Sequence, residues 1–383
     1  MDIHLKRSLR KSIKRGHPWV YKDAIELKKP LKSKTEFVLL KDNKGLVSLG
    51  IYDSTSPIAF RALDFNPLKT NELEQELMRA FKKRSSLKDT KTDGYRLING
   101  EGDGFSGLIC DVYNQVAVLQ FDGEGMEDFW RKTEVSKLLL KNFENLKTVL
   151  IKPRGGVGDL ETVCGEELKD FDVLFCESGL KFKANLLKGQ KTGFFFDQRD
   201  NRNYIKSFAK DKSLLNAFSY TGGFSVYAGA AEANKVFSLD LSPGAVSDAK
   251  DNWLLNDLDP EKHETLCEDA FDFFEKSDSK FDSVIVDPPS MSSSQKTKSK
   301  AVQKYIDLFS KASKRVNKQG DLVLSSCSSQ ITFEDFNDII TEALSSAQKN
   351  GKVLRVSGQG LDHPYPHFCP ELRYLKFVHI VLD

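Results

Sequence analysis

The 383-residue sequence predicts an α/β protein: a parallel, doubly wound sheet in the C-terminal half, preceded by a small β-rich domain and a central α+β domain. Three observations predict it. Beyond about Ser178, short apolar runs alternate with helical stretches, as in successive strand–helix–strand units. Before residue 68, short β-prone runs are separated by turn residues. Between them, strand signals surround one apolar-periodic helix. The expected boundaries are 1–68, 69–177 and 178–383.

In the first domain, Glu36–Leu40, Gly45–Ile51 and Ile58–Leu63 read as strands around turns at Asp42–Gly45 and Asp53–Ser54. A helix over Leu68–Leu87 follows, with Leu73, Leu77 and Phe81 on one face. Ser106–Val112 and Gln115–Phe121 form a hairpin about Tyr113-Asn114, Met126–Asn142 a helix, and Thr148–Lys152 a strand. In the third domain the strands are Leu214–Phe218, Lys235–Leu239, Glu264–Cys267, Phe281–Val286 and Gly320–Ser325. Helices follow Thr221-Gly222-Gly223 and cover Pro243–Leu255, a segment from Ala270, Val302–Val316 and Thr332–Ala347. Leu372–Leu382 is a last strand that can lie antiparallel, and the Ser- and Lys-rich run Ser290–Lys300 is a mobile loop.

Composition is that of a globular protein, with 39% hydrophobic and 29% charged residues. No apolar run spans a bilayer, and the basic N-terminus lacks the apolar stretch of a secretory signal, so a cytoplasmic location is expected. Six cysteines occur in no metal-ligand spacing, so no metal is expected and free thiols are. The net charge of +2 conceals an excess of +8 within residues 1–34, leaving −6 elsewhere. A basic arm of this kind suits a polyanionic partner as well as a solvated surface.

Ligands of doubly wound sheets bind at the carboxyl ends of the strands. Four strand ends carry suitable residues. Phe218-Ser219-Tyr220-Thr221-Gly222-Gly223 places glycines between strand and helix without the GxGxxG dinucleotide pattern. Asp240-Leu241-Ser242 follows the next strand, with the acid 18 residues beyond Gly222, a spacing that serves ribose hydroxyls. Asp269-Ala270 offers a carboxylate suited to an adenine amino group or to capping a helix. Asp287-Pro288-Pro289 is a stiffened strand exit.

These motifs resemble those of class I methyltransferases. The chain as a whole resembles the 5-methylcytosine RNA methyltransferases that carry an N-terminal PUA domain. The likeness runs from Arg15-Gly16-His17-Pro18-Trp19-Val20 through Gly100–Leu108 and Lys191–Arg199 to Phe218–Phe224 and beyond. It implies a PUA domain, a central α+β domain and a Rossmann-like methyltransferase domain using S-adenosyl-L-methionine. It further implies that Gln198 and Arg199 hold the methionine part of the cofactor, and that Asp240 and Asp269 hold ribose and adenine. RNA, 23S rRNA in particular, is the implied substrate, with Arg7, Arg10, Lys14, Arg15 and His17 as contacts of the basic arm. Family members are often dimers, so a homodimer is an expected assembly.

The resemblance also implies covalent catalysis, because carbon 5 of cytosine is a poor nucleophile until a thiolate adds to carbon 6. Cys327, in Ser325-Ser326-Cys327-Ser328 at the end of a strand, is the expected nucleophile. Cys110 and Cys267 lie in apolar strands and suit packing. Asp287 is expected on the base edge. Ser290 stands where many RNA cytosine methyltransferases carry a second cysteine, so the base for the elimination step is unassigned. Two other readings are an rRNA guanine N-methyltransferase with the same core, which needs no cysteine, and a non-catalytic RNA-binding assembly factor.

Overall fold

A computed structural model of the chain describes residues 1–27, 33–88, 90–154, 159–292 and 294–383. The chain groups into two compact units. One comprises residues 1–179, 184–196 and 361–372; the other comprises 180–183, 197–360 and 373–383.

The first unit holds two sheets. In the six-stranded sheet, Thr35–Asp42, Gly45–Asp53 and Ile58–Leu63 form an antiparallel meander where the sequence predicts strands. Gly45 takes φ +101° in the tight turn that joins the first two. Unexpectedly, the basic N-terminus is part of this sheet: Asp2–Leu5 pairs in parallel with Thr35–Asp42. The basic arm is anchored to the domain because Ile3, Ile13 and Val20 enter a core with Val38, Leu40 and Phe60.

The five-stranded sheet runs in the order Glu161–Gly165, Thr148–Ile151, Val116–Phe121, Leu108–Tyr113, Gly94–Asn99. Its core gathers Leu97, Cys110, Leu119, Trp130 and Val149, and also Ile51, Leu63 and Phe65 from the first segment. The single helix expected over Met126–Asn142 is two, Glu124–Trp130 and Val135–Asn142. The Thr133 hydroxyl donates to the Trp130 carbonyl at 2.7 Å, satisfying an acceptor that a continuing helix would otherwise use. The helix Thr70–Lys83 stops short of Leu87. The next residue, Arg84, turns inward, and its guanidinium donates to both carboxylate oxygens of Asp103 at 2.7 and 2.6 Å.

The second unit is built on a seven-stranded sheet, with strands numbered here within the unit. These are β1 (Ser213–Ala217), β2 (Lys235–Asp240), β3 (His263–Cys267), β4 (Phe281–Val286), β5 (Val316–Ser326), β6 (Gly351–Ser357) and β7 (Lys376–Leu382). Their spatial order is 3-2-1-4-5-7-6, parallel except for β7. Alternate residues leave opposite faces of a strand, and here both faces are buried. Leu214, Val236, Ile285 and Val323 pack on Ile205, Phe224 and Trp253, from the helices Arg199–Ile205, Gly223–Ala230 and Pro243–Leu254. Leu215, Leu239, Val284 and Leu322 pack on Phe273, Leu308 and Ile339, from the helices Ala270–Lys276, Lys298–Ser313 and Phe333–Ser346. The sheet is doubly wound, as the alternation of runs predicts.

Two features differ from expectation. Part of the Ser- and Lys-rich run is helical. A capping box between Ser294 and Thr297 opens a turn of helix, and Lys298 starts the long helix. Ser293, within that run, lies outside the described residues. Strand β6 was not predicted, because Val353, Leu354 and Val356 are exposed and its pattern matches no buried face.

Candidate active site

Helices from β1 and β4 lie on opposite faces of the sheet, which makes the carboxyl ends of these strands its topological switch point, the place where ligands of such sheets bind. Four sequence-predicted strand ends of the second unit meet there.

After β1 the backbone coils tightly. Phe218, Tyr220 and Gly222 all have positive φ, at +60°, +47° and +77°. A non-glycine residue held in this region costs about 1–3 kcal/mol and persists where its surroundings enforce it. The Ser219 N–H donates to the Leu239 carbonyl, and the Tyr220 N–H to Asp240 Oδ2 at 2.8 Å. Gly222 is required twice: by its φ, and because a Cβ there would stand 2.9 Å from that of Ala249. Asp240 Oδ1 accepts the Ser242 N–H at 2.9 Å, so this carboxylate ties the ends of β1 and β2 together. Leu241 beside it is exposed. Ser242 caps the next helix through the Ala245 N–H. Asp269 caps the helix beginning at Ala270, accepting the N–H groups of Phe271 and Asp272 on Oδ1.

Asp287 follows β4. Gln198 Nε2 donates to Asp287 Oδ2 at 2.9 Å. Asn201 Nδ2 donates to Gln198 Oε1 at 2.7 Å, and the Ser357 hydroxyl donates to Asn201 Oδ1 at 2.7 Å. This relay fixes the Gln198 amide so that its NH2 faces the carboxylate. The resemblance assigns Gln198 to the cofactor; within the protein its amide NH2 is in contact with Asp287. Arg199 is fully buried at the start of its helix, with Nε 3.3 Å from Asp200, and is not the surface residue its type suggests. Arg202, which sequence reasoning passed over, is also buried. Its side chain flanks the glycine loop, 3.0 Å from where a Cβ at Gly223 would stand.

Cys327 is half-buried just beyond β5. Hydroxyls hold its turn. Tyr305 OH accepts from the Ser326 hydroxyl at 3.0 Å and lies 3.0 Å from Ser328 Oγ. Ser328 Oγ also accepts the Met291 N–H and lies 3.1 Å from Ser290 Oγ, joining this turn to the Asp-Pro-Pro exit. Lys376 of β7, opposite Ser326 in the antiparallel register, donates to the carbonyls of Ser328 and Tyr374 at 2.6 and 2.7 Å. Burial pulls the Lys376 ammonium down to about 8 and raises the Tyr305 phenol.

The chemistry of the donor set fits S-adenosyl-L-methionine. Asn216 Oδ1 at the end of β1 and Thr221 Oγ1 in the glycine loop are buried polar atoms with no hydrogen-bond partner among the described residues. Such atoms signal a missing ligand or water.

The basic residues of the first unit are less available than their sequence suggests. Arg10 closes a fork on Asp42 at 2.8 and 2.6 Å and also donates to the Gly45 carbonyl. Arg7 lies 3.1 Å from Asp23. Arg15 lies over the Phe368 ring, and Lys14 ends a short helix. His17 joins Cys369 and Glu371 in a group whose ligand atoms lie within 4.8 Å of one another, which no sequence spacing reveals. Its Nδ1 accepts the Trp19 N–H at 3.3 Å, which leaves the proton on the Nε2 that faces Glu371. Asp362 and His363 are buried in the same unit, where Asp362 accepts the Arg96 N–H.

Residues 149–345 match the family model for S-adenosylmethionine-dependent methyltransferases, and residues 3–65 match a PUA-like domain. The ribosomal RNA large subunit methyltransferase of Deinococcus radiodurans is 31% identical over 403 aligned residues, covering 100% of this chain and 98% of that one. The ribosomal RNA large subunit methyltransferase I of Pseudoalteromonas atlantica is 33% identical over 378 residues, covering 96% and 95%. The crystal structure of SMU.776 complexed with SAH superposes with a TM-score of 0.87 over both whole chains at 22% identity, which shows the shared fold.

Proposed function

The chain belongs to the S-adenosylmethionine-dependent methyltransferases, and on that premise we propose that it converts a cytosine of large-subunit ribosomal RNA to 5-methylcytosine through a covalent adduct on Cys327. The observation that carries this reading is a half-buried cysteine at the end of β5, hydrogen-bonded through its turn to the exit loop of Asp287. An amine methyltransferase needs no such thiol. The names of the relatives and the PUA-like domain support RNA as the substrate. No helix among the described residues is long and apolar enough to cross a membrane.

When bound, the cofactor supplies an electrophilic methyl group. The glycine loop, Asp240, Asp269 and Arg199 would hold it: Asp240 at ribose hydroxyls, Asp269 at the adenine amino group, and Arg199 at the methionine carboxylate. Gln198, which the resemblance places at the methionine part of the cofactor, also holds Asp287 through its amide NH2. The target base must leave its stack to reach these strand ends. The Cys327 thiolate then adds to carbon 6, and the electron pair of the 5,6 double bond becomes available at carbon 5. Asp287 receives the hydrogen bond of the exocyclic amino group and stabilises the adduct. After methylation, water or Asp287 takes the carbon-5 proton, the C–H electron pair re-forms the 5,6 double bond, and the C6–S bond breaks to release the thiolate.

Cys327→Ala is expected to abolish methyl incorporation into unmodified large-subunit rRNA while calorimetry still registers cofactor binding. Bisulfite mapping of rRNA from cells with and without the gene should show one cytosine losing protection. An active Cys327→Ala enzyme would sink the covalent reading.

A further inference from the structure

Lys376 is a buried cation whose visible partners are neutral. It is fully buried, and its Nζ makes two hydrogen bonds, both to backbone carbonyls. No carboxylate within salt-bridge distance of it appears among the described residues. Asp335, the acid whose field reaches it, is itself 2.7 Å from Lys298. A buried ammonium without an anion is costly, and stable examples are paired or neutralised.

The thiol whose charge reaches it is that of Cys327. Lys376 stands opposite Ser326 across the β5–β7 ladder and its Nζ holds the carbonyl of Ser328, so its backbone partner and one hydrogen-bond partner are the two neighbours of the cysteine in the chain. An amine that gives two N–H groups to two carbonyls has one position left on nitrogen, filled by a lone pair when neutral and by a proton when charged.

We propose that Lys376 and Cys327 share one proton, so that in the resting enzyme the thiol proton resides on Nζ and the nucleophile is held as a thiolate. The balance is simple: the S–H bond breaks, its electron pair stays on sulfur, and the lysine lone pair takes the proton. Lys376 is thus a positioning residue that acts through Cys327. Burial brings the ammonium down to about 8, and the charge of the Cys327 thiolate opposes that loss, so each group favours the charged form of the other. Tyr305 of the Lys298–Ser313 helix also lies against this turn; burial keeps it protonated and it serves the two serines, while Tyr374, whose carbonyl Lys376 holds, donates its hydroxyl hydrogen bond to Asp197. Asp287, on the neighbouring loop, is tied to Gln198. This inference rests on the assignment of Cys327 as nucleophile.

The test is the pH profile of iodoacetamide alkylation of the full-length protein. The Cys327 peptide is followed by mass spectrometry, with exposed Cys267 as the internal reference. Lys376→Met should raise the Cys327 midpoint by one pH unit or more and slow its alkylation at pH 7 by about tenfold. Lys376→Arg keeps a permanent cation and should retain the low midpoint. A folded Lys376→Met protein with an unchanged midpoint overturns the pairing. If that variant does not fold, the wild-type profile decides: a midpoint well below that of Cys267 supports the pair, and one at or above it overturns the pair. A shifted midpoint in Lys376→Met, together with methyl transfer surviving in Cys327→Ala, would leave the pair standing and remove the catalytic role of the thiol.

Discussion

The loops after β1 and β5 lie in one sheet but are held by different means. The β1 loop is a strained coil, with three left-handed residues within five positions, restrained by backbone N–H groups and the Asp240 carboxylate. The β5 turn has no residue with positive φ. It is restrained by side chains: the hydroxyls of Tyr305, Ser326, Ser328 and Ser290, and one buried ammonium. A backbone cradle suits a ligand that must be held in one place. A side-chain network suits a group whose protonation must be tuned, because hydroxyls and an amine can rearrange their protons without moving the chain.

Three substitutions beyond those at Cys327 and Lys376 separate the two regions. The largest effect is expected at their junction. Asp287→Ala should lower kcat by about 10²–10³-fold, the scale of losing one stabilising partner of a transition state, while cofactor affinity by calorimetry changes little. Comparable losses in both measurements would mean that Asp287 serves the cofactor, and the contrast between the loops would fail. Next is Asp240→Ala, which removes the acceptor of two N–H groups. Hydrogen bonds to a charged group contribute about 1.5–3 kcal/mol, so cofactor Kd should rise roughly 10- to 100-fold. The alkylation profile of Cys327 should not move; a shift would show that the two networks are coupled. Smallest is Tyr305→Phe, which removes hydrogen bonds to two serines. A loss of about 1 kcal/mol in chemical denaturation is expected, with kcat reduced a few-fold. An unchanged kcat would make Tyr305 a packing residue and leave Lys376 as the main restraint on the turn.

The contrast also explains what could be read in advance. Phe281–Val286 matches its expected boundaries because a continuous apolar run ends at Asp-Pro-Pro, signals that are all local. The glycine loop was legible for the same reason. Legibility failed where a side chain changed the local outcome. Thr133 splits a helix that hydrophobic period alone would continue, and the Ser294–Thr297 cap turns an apparent loop into a helix start. The fork of Arg10 on Asp42, 32 residues away, is likewise set by the fold and not by local pattern.

The sequence by itself determined the doubly wound sheet, the motifs at four strand ends and the presence of a cysteine after β5. These follow from the period of apolar residues, from prolines and glycines, and from caps, all interactions between near neighbours in the chain. Only the tertiary structure decided what Gln198 and Lys376 contact. Gln198 is turned toward Asp287 by Asn201, which is itself held by Ser357 from 156 residues away. Lys376 reaches the carbonyl of Ser328 across 48 residues because β7 runs antiparallel beside β5. Such contacts depend on which strands become neighbours and in what register. That is set by burying both faces of the sheet at once, and no local pattern encodes it.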